Sequence, residues 1–487
     1  MRKLPLYLFL SLPLLIFFYV PGVRQLSGRV FLLPGVLLLS LGTVLWNCRD
    51  MKGLGRIFLF LGCGSVLASP LGTVLGYDTP ACGIPVEEVR SFRGYLREDS
   101  FVLDDGRTLM SLELKEVEGN NGVSATARGP LVIITGDLRS RSAGKTVEVH
   151  APIRVSWDEK KQVPLWSAYP GSEDILSREY SNKYYTLRHR VRGGLSALLS
   201  RLGPSAGLLT ALLLGNKDLL SLAERDMFRK AGCSHILALS GMHLGIIVTL
   251  LGLLLSRVAG KGAAFGISFL FGLLYLGIAG FTPSLVRAFV MFGLSGVLLS
   301  FRLRAQPIEV LGYAFVVLAV VMPGEADSLS FLLSFLALLG IFTLGQRIDQ
   351  LFQGKVPGIF RTPLSASIGA QWATAFLVFP VFGVLYPVGI IASLLLTPLI
   401  TLFLWGGLVS MPLLLFSAPS YIIRRIMEFI YLALRSIASL SSKVPGVVLP
   451  SKAFLLVAGG LLLFALILYS GPIRIGVKKW KKAILQP

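Results

Sequence analysis

Residues 233–256 read CSHILALSGMHLGIIVTLLGLLLS. The second half is apolar, and the whole run is long enough to cross a bilayer core, which takes about 20 residues. Its first half carries Ser234, His235, Ser240 and His243. Working outward, similar apolar runs recur. Spans are expected near 262–281, 285–300, 308–323, 330–346, 366–386, 388–416, 420–440 and 453–470, and three more before the first polar stretch, up to Val20, at 30–46 and at 57–74. Pro398 leaves 388–416 open to a broken or re-entrant course. Of 487 residues, 54% are hydrophobic and 15% charged, against about 25% charged in an average soluble domain. Mean hydropathy is +0.71. A soluble globule has more polar surface than this, and a disordered chain has fewer apolar residues. The expected fold is a polytopic α-helical membrane protein of about 12 transmembrane segments.

One stretch differs. Between about 77 and 182 short alternating runs such as Val132-Ile133-Ile134 and Val147-Glu148-Val149 are separated by turn signals, Asp105-Gly106 and Asn120-Asn121-Gly122. Five or so short strands in this space predict a small all-β barrel of the OB-like kind. A basic segment at 183–204, with Arg188, Arg190, Arg192 and Arg201, reads as amphipathic and lying on the membrane surface. The expected divisions are 1–76 (three spans), 77–182 (β domain), 183–204, 205–472 (membrane core) and 473–487 (basic tail).

The net charge is +21, from 47 Lys and Arg against 26 Asp and Glu. The 77–205 stretch holds 18 basic and 17 acidic residues, so nearly all the excess lies in or beside the membrane part. Much of it follows topology, because cytoplasmic loops collect Lys and Arg. Arg257 and Lys261, Arg302 and Arg304, Arg347, Lys355 and Arg361, then Arg424 and Arg425 fall on alternate loops. This predicts cytoplasmic N- and C-termini and an extracytoplasmic 77–205 region. An anionic cargo is a further use for the excess. Of the four cysteines, Cys82 and Cys233 flank the polar stretch, and a bridge between them needs both to face an oxidising compartment.

Few residues can carry chemistry. His235, Ser240 and His243, read on one continuous helix, fall within a sector of about 140°. They either line a cavity or hold neighbouring helices by hydrogen bonds, with Gly241 as a close-packing point. Arg287, in Thr282-Pro283-Ser284-Leu285-Val286-Arg287-Ala288, either snorkels to the surface or holds phosphate groups. Ser330 and Ser334 share a helix face near Asp327, and Gln371 and Trp372 are polar atoms deep in a span. Gly144-Lys145-Thr146 ends like a P-loop, but Arg139 stands where the first glycine is required. Four histidines, none in a hydrolytic cluster, and a spacing of eight between His235 and His243 point to no metal, no cofactor and no catalysis.

These residues form a recognisable set. ALLLGNK (211–217), Phe228, AGCSHILALSGMH (231–243), TPSLVRA (282–288) and SFLLSFLAL (330–338) resemble the ComEC-type competence proteins. Leu332, Ser330 and Ser393 depart from the family pattern, which has glutamine, glycine and asparagine there. The chain also ends soon after its last expected span, where many members continue into a metallo-β-lactamase-like domain. The resemblance implies a bacterial plasma-membrane channel for inward transport of single-stranded DNA in natural transformation. His235, Ser240, Gly241, His243, Arg287, Ser334 and Gln371 would then line the path. Implied partners are single-stranded DNA, a DNA receptor, a cytoplasmic motor, a separate nuclease, membrane lipids and further copies of the chain. A carrier of a small or anionic solute, or a non-transporting membrane scaffold, remains the rival reading.

Overall fold

The computed structural model describes residues 80–448, apart from 104–105, 138–140, 159–162, 181, 218, 303–304, 323–324, 326–327 and 416–419. The three N-terminal spans, the span expected at 453–470, the basic tail, Asp327, Cys48 and Cys63 lie outside the described residues. Two compact units emerge. Described residues within Met1–Phe228, Ser234–Leu332 and Leu399–Ser436 form the first; those within Arg229–Cys233, Leu333–Pro398 and Ile437–Pro487 form the second.

The first unit opens with ten strands: β1 (Ala81–Cys82), β2 (Val89–Leu96), β3 (Phe101–Val102), β4 (Thr108–Gly119), β5 (Ser124–Arg128), β6 (Pro130–Thr135), β7 (Lys145–Val149), β8 (Arg154–Asp158), β9 (Val163–Ala168) and β10 (Ile175–Tyr180). They pair in the order β10-β7-β2-β4-β6-β9-β8, with β3 and β5 against β4 and β1 against β5. The β6–β9 pairing is parallel, whereas β4 pairs antiparallel with both β2 and β6.

Strand β4 shows how sequence sets this sheet. Thr108, Met110, Leu112 and Leu114 are buried at every second position, as a half-buried strand requires. The phase then slips, and Val117 is the next buried residue that packs in the core. The cause is a register shift opposite Arg93 and Gly94, where one extra residue enters β4. Gly94 permits it: a side chain there would run into the Glu113 carbonyl. Phe92, Leu96, Leu131, Ile133, Val147 and Val149 complete a core in which none of these six is more than 1% exposed. The Asn120-Asn121-Gly122 turn closes the β4–β5 hairpin with Gly122 at φ +68°.

The helices follow: α1 (Lys183–Ser200), α2 (Ala206–Leu214), α3 (Leu222–Lys230), α4 (Ser234–Leu237), α5 (Gly241–Ala279), α6 (Pro283–Ser300), α7 (Pro307–Val321), α8 (Leu329–Gly340), α9 (Gln346–Leu351), α10 (Gly358–Phe382), α11 (Gly389–Leu415) and α12 (Ser420–Ser442). The 39 residues of α5 are two legs broken at Gly260, whose φ of +77° is not helical. A straight helix would hold Leu244 and Gly272 about 42 Å apart. Instead a side chain at Gly272 would meet Leu244 Cδ1 at 3.8 Å, and one at Gly252 would meet Ser268 Oγ at 3.6 Å. The legs therefore fold back as a hairpin, with Arg257 and Lys261 exposed at its bend.

This is a membrane protein: α5, α6, the continuous Leu329–Leu351 segment and α11 are each long and apolar enough to cross a bilayer. The expectation of about twelve spans is not met among the described residues. The apolar helix α7, at 15 residues, is too short by length to span unaided, as is the short apolar helix Gly203–Leu214. Helix α12 carries Arg424, Arg425, Glu428 and Arg435. Helix α11 runs unbroken through Pro398, which removes the broken or re-entrant alternative. Cys82 and Cys233 are both free thiols.

Helix α1 does not simply present its arginines to the surface. Tyr184 donates to the Gly277 carbonyl at 2.8 Å, and Arg188 donates to Ile278 and Ala279 carbonyls at 3.1 Å each. Arg192 donates to the Leu214 carbonyl at 3.0 Å, and Arg201 to that of Leu414 at 2.9 Å. These are the last carbonyls of α5, α2 and α11, which have no partner within their own helices. A guanidinium there also meets the negative end of the helix dipole.

In the second unit a π turn lies at Ile341–Gly345. Gly369 of α10 lies against it: an added side chain would meet Gly340 O and Gly345 N, both at 2.7 Å. Gly369→Ala is therefore expected to cost about 1–3 kcal/mol by overpacking against backbone. It should lower the thermal midpoint of the detergent-solubilised protein. Gly266→Ala, where an added Cβ meets nothing within 4 Å, should leave it unchanged or raised.

Candidate functional site

The SGMH turn is not one helical face. Helix α4 ends at Leu237, and Ser240 sits at φ −124° and ψ 163° as the N-cap of α5. His235 is exposed on α4, whereas His243 is fully buried in the first turn of α5. The polar sector read from a continuous helix therefore dissolves, because the chain turns between the two histidines. In its place stands a capping box, with His243 in the position usually held by Glu or Gln. The Ser240 N–H donates to His243 Nδ1 at 3.2 Å. An accepting Nδ1 puts the proton of the neutral ring on Nε2. Nε2 is buried, with no hydrogen-bond partner among the described residues.

Helix α6 packs beside this turn. Thr282 is its N-cap and Pro283 its first residue, where a missing N–H costs nothing. A side chain at Gly241 would meet Ala288 Cβ at 2.8 Å, Arg287 Nη2 at 3.4 Å and the Ser284 carbonyl at 3.7 Å. Gly241 is thus the close-packing point that lets two helix N-termini converge. Arg287, 6% exposed, is buried between them rather than snorkelling outward. Two positive dipole ends and a guanidinium in one place favour an anion.

A basic pair elsewhere in the first unit went unread in the sequence as a site. Helix α2 stops at Gly215, at φ +72°, and an added side chain there would meet Leu239 Cδ1 at 2.6 Å. The ALLLGNK turn therefore packs on the residue before Ser240. Just beyond it Arg225 donates to the Lys217 carbonyl at 2.5 Å. Burial, and then the neighbouring Arg225 charge, hold the Lys217 ammonium below its usual pKa. The usable signal was a basic residue directly after an apolar helix in the same motif set.

Ser334 and Gln371 belong to the second unit. Ser334 is half-buried on α8. A side chain at Gly389 would meet Gln371 Nε2 at 2.9 Å and the Gly232 carbonyl at 2.8 Å. In the same unit Cys233 Sγ lies 3.6 Å from Ser393 Oγ. Gln371 thus sits beside a tight contact between two backbone turns.

A family model described as "Competence protein" matches residues 212–472. This chain belongs to that family. Its relatives include an uncharacterized protein of Aquifex aeolicus, 30% identical over 256 residues, which are 52% of this chain and 59% of the relative. ComE operon protein 3 of Bacillus subtilis is 30% identical over 159 residues, 32% of this chain and 20% of that protein. The matched part is thus less than two thirds of either relative. No solved structure matches. The matched stretch begins within α2 and takes in the Gly215–Lys217 turn, the SGMH capping box and Arg287.

Three substitutions separate packing from capping in this competence-family core. Gly241→Ala should force α5 away from α6 and cost about 1–3 kcal/mol. His243→Gln, which can still accept from Ser240, should keep most of the thermal midpoint, whereas His243→Ala should lose about 1 kcal/mol through the lost cap. Thermal unfolding followed by tryptophan fluorescence in detergent measures all three.

Proposed function

We propose that this chain forms the membrane passage for inward transport of single-stranded DNA in natural transformation, without breaking or making bonds itself. The observation that carries the reading is the buried Arg287 set against the N-terminal ends of two apolar helices, with the Lys217–Arg225 pair nearby in the same unit. Such an arrangement favours phosphate without regard to base sequence. Family membership and the likeness to ComE operon protein 3 support it. Within the first unit the path is assigned to His235, Ser240, Gly241, His243 and Arg287.

The finer architecture belongs to the same proposal. The strand path β7-β2-β4-β6-β9, with one parallel pair and open ends, fits a partly open Greek-key barrel of the OB type. Loop charges support cytoplasmic termini and an extracytoplasmic β domain in the bacterial plasma membrane. The proposed partners are a DNA receptor, a cytoplasmic motor and a separate nuclease, with a homo-oligomer as one assembly. The rival reading, a carrier for an anionic solute, draws on the same positive helix ends.

Uptake of labelled DNA by a transformable host decides between them. The intact protein should support uptake. Arg287→Ala and His243→Ala should each lower it by about 10- to 100-fold at equal membrane abundance, the scale of one hydrogen bond to a charged group. Arg287→Lys should fall between, since the fork geometry is lost but not the charge. No uptake with the intact protein, when motor and nuclease are supplied, would leave the solute carrier or the scaffold.

A further inference from the structure

Asp99 lies in the loop between β2 and β3, and its carboxylate is shared three ways. Oδ1 accepts the Ala143 N–H at 2.8 Å, from the segment leading into β7. Oδ2 accepts from Arg192 at 2.7 Å and lies 4.0 Å from Arg188. Burial would raise its pKa, but Arg192, the Ala143 N–H and Arg188 outweigh it and hold the carboxyl below its ordinary value. It therefore stays ionised at neutral pH.

The two arginines it holds are the ones that reach the helix ends. Arg192 bonds the Leu214 carbonyl, and the next residues are Gly215, Asn216 and Lys217. Arg188 bonds the Ile278 and Ala279 carbonyls, and the next residues are Gly280 and Phe281, then the Thr282 N-cap of the helix that carries Arg287. A side chain at Gly280, which sits at φ +118°, would meet Arg188 Nη2 at 2.8 Å, so that turn is pressed onto the guanidinium. One carboxylate on the β domain thus fixes two side chains, each of which fixes the start of one turn entering the site.

We propose that Asp99 is a positioning residue: by clasping Arg188 and Arg192 it lets the β domain set the placement of the Gly215–Lys217 and Gly280–Thr282 turns. The inference takes from the reading above only that these turns border the site. Loss of the carboxylate charge frees both guanidiniums to leave the carbonyls, and both turns loosen together although neither touches Asp99. A β domain that merely sits beside the helices would not couple to them in this way.

Maleimide labelling of full-length protein in membrane vesicles tests it. The four native cysteines are replaced by alanine, and a reporter is placed as Asn216→Cys or Thr282→Cys. Asp99→Asn keeps the hydrogen-bond acceptor for Ala143 and removes the charge. It should speed labelling at both reporters by at least about fivefold. Asp99→Glu, which keeps the charge one methylene further out, should bring the rates back toward the parent. It is also the variant to read if Asp99→Asn does not accumulate. Ile133→Val, a mild cavity in the β core, should leave the rates unchanged. Labelling unmoved by Asp99→Asn, equal acceleration by Ile133→Val, or no rescue by Asp99→Glu would each overturn the proposal. The readout uses no DNA, so a failure of DNA uptake and a failure of the clasp are told apart.

Discussion

The constraint on which the rest of this chain depends is the need to satisfy the last carbonyls of helices that end among apolar neighbours. A carbonyl left unbonded where it is buried costs about 1–3 kcal/mol. Helix α1 supplies the donors from a single face: Tyr184, Arg188 and Arg192 are spaced by four, so they stack along one side. Arg201, just past the end of α1, reaches a third helix. One short amphipathic helix therefore closes the C-terminal ends of α2, α5 and α11. Lengthening, kinking or rotating α1 would open all three.

That closure has an electrostatic consequence. Each helix has a negative C-terminal end and a positive N-terminal end. The arginines neutralise the negative ends of α2 and α5. The N-terminal turns of α5 and α6 converge through Gly241, and the buried Arg287 adds charge of the same sign. Guanidiniums thus meet the negative ends of α2 and α5, and the N-terminal turns of α5 and α6 lie together beside Arg287. The excess of Lys and Arg over Asp and Glu in the sequence is thus not all topology. Part of it, in Arg188, Arg192 and Arg201, is structural, and part of it, in Lys217, Arg225 and Arg287, surrounds the convergence of turns.

What the sequence made legible follows from how local the signal is. The β domain was readable because strand alternation and turn residues act over a few positions: Gly122 needs its positive φ, and Val132-Ile133-Ile134 lies in β6. The membrane character was readable because hydropathy sums over some twenty residues. Misread were features that depend on a break. His235 and His243 fit one face only while the helix is continuous, and nothing at Ala238–Ser240 forbids a helix outright. The two legs of α5 were separable because Arg257, Gly260 and Lys261 cluster. The role of the α1 arginines was hidden for a different reason. A guanidinium that caps a carbonyl some 90 or 200 residues away in sequence looks, on its own helix, the same as one that faces lipid headgroups.

The same distinction bears on what could pass. A site built from side-chain carboxamides or aromatic walls selects one solute by shape. A site built from helix ends and a guanidinium offers charge and N–H donors with no demand on what surrounds the anion. For a small solute that is poor selectivity, since any phosphate or sulfate would compete. For a polymer it is an advantage, because every phosphodiester along the strand presents the same group and none need be held tightly. Weak, repeated, base-independent contact is what a moving polyanion requires, which is why convergent helix termini suit the proposed DNA passage better than the rival solute carrier.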